Sequence, residues 1–259
     1  MSAGMRIGEG GGPAPEQAGP AAQRERDARE RRHTTLTLVR HGDPDWTPGG
    51  GPSVHDPGLT PFGSRQADAV AAALARTPLD FLYVSPYRRA RETAAPIERA
   101  TGRAAHVIEG LAEIGVALAG LTQEDVDRYF QAASRRPLNE HWEGWPGAET
   151  FHHFHERVTN ALGGLLAQHG IHPTCEHDFT VWSAPQQPVS IVIVAHGGTN
   201  SVLLTHLLDV RPVPWEWLRF ESQLAAYSVA EARTIGAQGS VWSLQNFNEV
   251  DHLRAAGLR

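Results

Sequence analysis

The sequence predicts an α/β fold, a mostly parallel central sheet with helices on both faces. Three observations predict it. Short apolar runs alternate with stretches whose apolar residues recur at helical spacing, the pattern of strand–helix–strand units. The run Val189–Ala195 (VSIVIVA) is almost wholly β-branched, as befits a strand buried on both faces of a parallel sheet. Three of the apolar runs stop at polar, turn-forming residues, and in open α/β sheets such strand ends form the ligand-binding edge.

Residues Met1–Arg32 are rich in Gly, Ala and Pro and then charged (RERDARERR), with almost no large apolar residue. They are expected to be a disordered tail. A short charged helix over Gln17–Arg32 is the alternative, and it would have no apolar face to dock. The remainder, 33–259, reads as one domain. Its first strand is Thr34–Val39, where Leu36 and Leu38 alternate with polar residues before Arg40-His41-Gly42. The loop Gly42–Gly58 holds three consecutive glycines and four prolines and is expected to drape over the site.

Leu59-Thr60-Pro61 reads as a helix start, with Thr as cap and Pro in the first turn. Ala67, Val70, Ala71 and Leu74 then form one apolar stripe. Leu79–Val84 is a second strand, ending at Ser85-Pro86, another cap-plus-proline helix start. The helix after it carries Arg88, Arg89, Arg91, Thr93, Ala94 and Ile97. Ala105–Ile108 is a third strand candidate. Thr122–Ala133 and Glu149–His169 read as helices, the second amphipathic through Phe151, Phe154, Val158, Ala161, Leu162, Leu165 and Leu166. Pro137–Gly147 between them is aromatic and irregular, a candidate lid, and Gly170–Pro188 reads as an inserted loop. Val189–Ala195 ends at His196-Gly197-Gly198, with a helix following through Leu208. Gln223–Ala230 and Ser240–Gln245 look like a closing antiparallel pair.

Composition narrows the function classes. The net charge of −6 and pI near 6.1 do not suggest a nucleic-acid binder. A single cysteine rules out an intramolecular disulfide framework and suits a reducing cytosol. No apolar run approaches the roughly 20 residues of a membrane helix. The first residues lack an apolar signal core, so the expected location is cytoplasmic.

In a mostly parallel sheet, Arg40-His41-Gly42, Ser85-Pro86 with Arg89, and His196-Gly197-Gly198 lie on one edge. Arg supplies a fixed fork of donors suited to phosphate. His supplies a nitrogen that can be nucleophile, base or metal ligand. Glycines after each histidine let backbone approach a ligand closely. Two arginines, two histidines and a helix amino terminus make a site for a dianion, above all a phosphate.

The motifs LVRHG (38–42), LTPFGSRQA (59–67), SPYRRARETA (85–94), LAEIG (111–115), PGAETF (146–151) and VAHGG (194–198) occur in that order. On them the chain from Thr34 onward resembles the histidine phosphatase superfamily, the phosphoglycerate mutase-like proteins. The resemblance implies that fold and a metal-independent phosphatase acting on a small-molecule phosphomonoester, with no cofactor. His41 would be the nucleophile that becomes phosphohistidine, with Arg40 and Arg89 clamping the phosphoryl oxygens and His196 donating to them. Glu113 would be the general acid on the leaving oxygen, a role that calls for a carboxyl able to hold a proton near neutrality. Gly42, Thr47 and Gly197 would join Arg40, Arg89 and His196 in holding the substrate. Thr47 stands where the family often has Asn, and Ala117-Leu118-Ala119-Gly120 where many of its phosphatases have Trp-Glu-Gly. The basic, Tyr-containing run of the mutases is missing, which favours hydrolysis. A mutase-type isomerase and a non-catalytic phospholigand binder are the alternatives.

His152, His153 and His155 read as surface histidines rather than a metal cluster, because no carboxylate or Cys completes the set at a natural spacing. His169, His172, Cys175 and His177 lack a CxxC pair and read as a plain loop. Trp142, Trp145, Trp215 and Trp217 are either core packing or an apolar substrate or dimer surface. An exposed Trp215/Trp217 patch would favour a homodimer.

Overall fold

The computed structural model describes residues 33–116, 119–176, 178–237 and 239–259. The expected tail Met1–Arg32, most of the Ala117–Leu118 comparison and His177 lie outside the described residues.

Eight strands form one sheet: β1 (Thr35–Arg40), β2 (Phe81–Val84), β3 (Ala105–Val107), β4 (Pro173–Glu176), β5 (Phe179–Trp182), β6 (Ser190–Ala195), β7 (Tyr227–Ile235) and β8 (Gly239–Glu249). Their order is β3-β2-β6-β1-β7-β8-β5-β4. The sheet is mixed. β3, β2, β6 and β1 run parallel, while β7, β8, β5 and β4 extend it antiparallel. The parallel half is the predicted core of the fold, and the β7–β8 pair is the predicted closing hairpin. The expected inserted loop at 170–188 instead contains the β4–β5 hairpin. Its prolines hid it, and Pro173 is tolerated because it opens a strand at the edge of the sheet.

Every residue of β6 is buried, as its two-faced apolar sequence requires. Ile191, Ile193 and Ala195 join Leu36 and Leu38 on one face. There they pack against Phe151, Phe154, Val158, Leu162 and Leu165 of a helix spanning Phe151–Ala167 (α4), and against Val202 and Leu203 of Gly197–Leu207 (α5). Val192 and Val194 point the other way with Val39, Leu82 and Val84. They meet Val70, Ala71 and Leu74 of Pro61–Leu74 (α1) and Ala90, Ala94 and Ile97 of Arg88–Thr101 (α2). Full burial of each Val, Leu, Ile or Phe among them contributes about 1.5–3 kcal/mol before entropy is counted. Gln123–Ser134 (α3), Glu216–Arg219 (α6) and Asp251–Ala255 (α7) complete the helices among the described residues.

Thr60 caps α1 as its sequence predicts, its hydroxyl oxygen accepting from Gly63 N at 2.9 Å. The start expected at Ser85-Pro86 falls later, at Arg88. Asp56 reaches across from the 42–58 loop, and its carboxylate accepts from Arg88 N at 2.9 and 3.1 Å. Ser85 is thereby left for a different partner.

Candidate active site

Strand register brings the polar signatures level. Arg40 pairs with Ala195, and Val84 pairs with Val194, so β1, β2 and β6 end together. His41 N donates to Ala195 O at 3.0 Å, and Ser85 N donates to Val194 O at 3.0 Å. The residues that follow these three strands therefore face one another across a single edge.

His41 is 5% exposed. Its Nδ1 lies 2.7 Å from the carbonyl oxygen of Gly42, which can only accept. Its Nε2 lies 3.3 Å from Nε of Arg89, which can only donate. The two partners fix one tautomer: the proton sits on Nδ1 and the lone pair on Nε2. Burial holds the imidazole well below its usual range, and the guanidiniums of Arg89 and Arg40 push it further the same way. The ring is thus neutral, with its nucleophilic nitrogen turned toward a cation.

Arg89 is 3% exposed, in the first turn of α2. Its guanidinium lies over Tyr87 at 4.7 Å and over Trp46 at 5.1 Å, a pair of cation–π contacts. Asp56 Oδ1 stands 3.8 Å from Nη1. Arg40 donates through Nη1 to the carbonyl oxygen of Ser222. Burial lowers the pKa of both guanidiniums, and the charge of Glu113 counters it. Arg40 Nε and Arg89 Nη1 are buried donors with no hydrogen-bond partner among the described residues. Such groups are costly unless a ligand satisfies them, and an oxyanion would.

His196 is completely buried, its ring 5.1 Å from that of His41. Its Nε2 meets Ser85 Oγ at 2.6 Å, while Nδ1 has no hydrogen-bond partner among the described residues. Burial, then Arg89 and His41, hold its pKa well below the usual range. Glu113 is cradled by the start of α5. Its Oε2 accepts from Gly198 N at 2.8 Å, and Oε1 from Thr199 N at 3.0 Å and Ile114 N at 3.0 Å. A Cβ on Gly198 would come within 2.6 Å of Oε1, so the glycine makes room for this carboxylate.

These groups open onto a cavity of about 600 Å³. Arg40, His41, Arg89, Glu113 and Gly197, which the sequence singles out, line it. His196 sits behind the lining. Gly42 and Thr47 are not among the lining residues. Gly42 serves packing, since a Cβ there would meet the Gly63 carbonyl oxygen at 2.6 Å. Its N–H donates to Thr93 Oγ1 at 3.0 Å, which ties the loop to α2. Thr47 precedes a short 3₁₀ turn at Pro48–Gly50, and its neighbour Trp46 takes the place at the cavity. Trp46, Tyr87, Asp56, Ser222 and Glu221 were not singled out by sequence reasoning. Trp46 and Tyr87 sit inside the GDPDW and SPYRR stretches, a signal that adjacency offered; Asp56, Glu221 and Ser222 had none.

Glu149 pairs with Arg157 and accepts from Gly115 N, while Thr150 caps α4 by accepting from His153 N. His152 stacks on Trp142 at 4.5 Å, and His155 lies beside Phe151. Trp215 and Trp217 are both partly buried, Trp217 stacking on Trp145 at 5.8 Å, so they form no fully exposed patch. Among the described residues no group of three or more His, Cys, Asp and Glu is arranged to hold a metal ion. No helix among them is long and apolar enough to cross a membrane.

Phosphoserine phosphatase 1 of Hydrogenobacter thermophilus is 31% identical over 137 residues, 52% of this chain and 65% of that protein. The PE-PGRS family protein PE_PGRS11 of Mycobacterium tuberculosis is 40% identical over 85 residues, 30% of this chain and 14% of that one. The chain therefore spans less than two thirds of either curated relative. The solved structure of a mycobacterial glucosyl-3-phosphoglycerate phosphatase with inorganic phosphate superimposes with a TM-score of 0.61 at 26% identity. It covers 83% of this chain and 97% of that one. The profile of the histidine phosphatase superfamily (branch 1) matches residues 36–246, and with the strand-end geometry just described the chain belongs to that superfamily.

Proposed function

We propose that the protein hydrolyses small-molecule phosphomonoesters through a phosphohistidine at His41, with no metal, in its residues 33–259. The observation that carries this is the pair of partners on the His41 ring, an acceptor at Nδ1 and a donor at Nε2. They leave a neutral imidazole with its lone pair beside two guanidiniums.

In the first step His41 Nε2 attacks phosphorus and the P–O ester bond breaks. Arg40 and Arg89 neutralise the phosphoryl oxygens, which supplies the positive charge the transfer requires. His196 adds a donor through Nδ1 while the Ser85 hydroxyl donates to its Nε2. Glu113 protonates the departing oxygen. Among the described residues its Oε2 accepts only from the Gly198 amide, leaving a lone pair for that proton. In the second step water attacks phosphorus, Glu113 takes its proton, and the P–N bond breaks to release phosphate. Splitting one displacement into two is the gain of a covalent intermediate. The partner is a phosphorylated small molecule rather than a nucleic acid, in keeping with the acidic balance of the chain. The single cysteine suits action in the cytosol.

The test is His41→Ala assayed on p-nitrophenyl phosphate. Loss of activity of at least about a thousandfold is expected, as for a removed nucleophile. The wild-type protein, quenched in base during turnover of a radiolabelled phosphomonoester, should carry an acid-labile phosphate that His41→Ala lacks. Retention of near-normal activity would sink the reading. Phosphate held stably on the isolated protein would point to the mutase alternative.

A further inference from the structure

Resting on that reading, we infer that the substrate is an apolar, preferably aromatic, monophosphate whose leaving group carries no second anionic group. The cavity is far larger than a phosphoryl group, and its two ends differ in kind. Arg40 and Arg89, the only Arg or Lys side chains lining it among the described residues, both stand at the phosphoryl end. Beyond them the wall is apolar. Trp145 and Trp217 stack at 5.8 Å, and Phe130 meets Trp145 edge-on at 5.1 Å. Leu218, which also lines the cavity, is 68% exposed, and Phe130 is 36% exposed. These aromatics come from three separate segments: α3, the turn after the 3₁₀ stretch Leu138–Glu143, and α6. Large apolar groups converging on one space offer stacking to a flat ligand.

Apart from those two guanidiniums, the acidic and basic side chains of the lining are of the wrong sign for a second anion. Asp43, Glu113 and Glu221 are the lining carboxylates, and Glu221 lies close enough to act on Arg40. Arg157 is near enough to influence His196 and Tyr87, but its guanidinium is spent. Nε and Nη2 bind Glu149, and Nη1 donates to the carbonyl oxygens of Gly110 and Ala112. A carboxylate on the leaving group would therefore lose water without gaining a guanidinium or ammonium partner. Glu221 instead suits a hydroxyl or ammonium donor on the substrate.

Calorimetric binding of non-hydrolysable phosphonates tests this apart from catalysis. 2-Naphthylmethylphosphonate is expected to bind at least about tenfold more tightly than methylphosphonate. Benzylphosphonate is expected to bind at least about tenfold more tightly than 4-carboxybenzylphosphonate. Leu218→Arg, a change at a largely exposed side chain, should narrow the second gap by supplying a cation. Equal or reversed order in either pair overturns the inference, as does an unchanged second gap in Leu218→Arg. Hydrolysis of 2-naphthyl phosphate is read separately. Phosphonate binding in the expected order without hydrolysis would strike the phosphatase reading and leave the substrate class standing.

Discussion

Nε of Arg89 lies 3.3 Å from Nε2 of His41, so the cation that would hold a phosphoryl oxygen also holds the attacking lone pair. The guanidinium therefore has two effects on one reaction, and they separate in a pH profile. Burial and Arg89 keep His41 neutral well below pH 6.5. In kcat/KM the acid limb should accordingly lie below that value. Arg89→Gln should lower kcat/KM by about 10²–10³, the range for a lost oxyanion donor. It should also move the acid limb upward, because the second-largest cause of the depressed His41 value is gone. A limb unmoved in the variant would show that His41 does not titrate under Arg89.

Folding stability should carry the same signature. His41 and His196 are held well below 6.5 in the folded state, chiefly by burial, and His155 and His206 are lowered in the same direction. Below 6.5 the unfolded chain binds protons that the folded chain refuses, so stability rises with pH through that window. The contribution is complete above about pH 6.5 and is lost as pH falls toward the folded values. Denaturation midpoints measured between pH 5 and 8 should fall on the acid side and flatten on the other. A midpoint that rises on acidification would contradict the buried neutral histidines.

Glu113→Gln removes the proposed proton donor and keeps the side-chain size, at the cost of setting its NH2 against one of the backbone amides that donate to the two carboxylate oxygens. Hydrolysis of an alkyl phosphate, whose leaving group must be protonated, should fall by about 10²–10⁴. An aryl phosphate with an acidic phenol should form the phosphoenzyme at a much less reduced rate and then stall before water attack. A pre-steady-state burst of phenol is the readout. Phosphoenzyme formation slowed equally on both substrates would remove Glu113 from the role of acid.

Gly42→Ala tests the packing of the loop. The new Cβ would sit 2.6 Å from the backbone carbonyl oxygen of Gly63, which has no freedom to swing aside. A loss of about 1–3 kcal/mol is expected from thermal or urea denaturation, as for other overpacked sites. Activity should fall as well, because the carbonyl of Gly42 fixes the His41 tautomer.

Much of this was legible in the chain before any coordinates. Ser190–Ala195 announced itself because a continuous β-branched run has few other stable fates, and the glycines after His41 and His196 marked where strands stop. The Pro173–Trp182 hairpin was not legible. Its opening proline and four-residue strands read as a loop, and long-range contacts, Trp182 with Ser240 of β8 and Thr180 with Asp209, give it a place. At the site, Trp46 is the instructive miss. Thr47 was expected at the cavity from its position in a motif, yet the turn at Pro48 leaves Trp46 over Arg89 instead. The carbonyl of Ser222 was equally hidden, since a backbone group carries no sequence signal of its own.

The residues proposed to face a phosphate follow the ends of β1, β2 and β6, whereas Phe130, Trp145 and Trp217 hang from segments outside the sheet. Chemistry and selectivity are therefore inherited through different parts of the chain. Substitutions along α3 and α6 can redraw which molecules are accepted while the sheet edge stays as it is. A lineage built on this frame can change its diet without relearning how to break the bond.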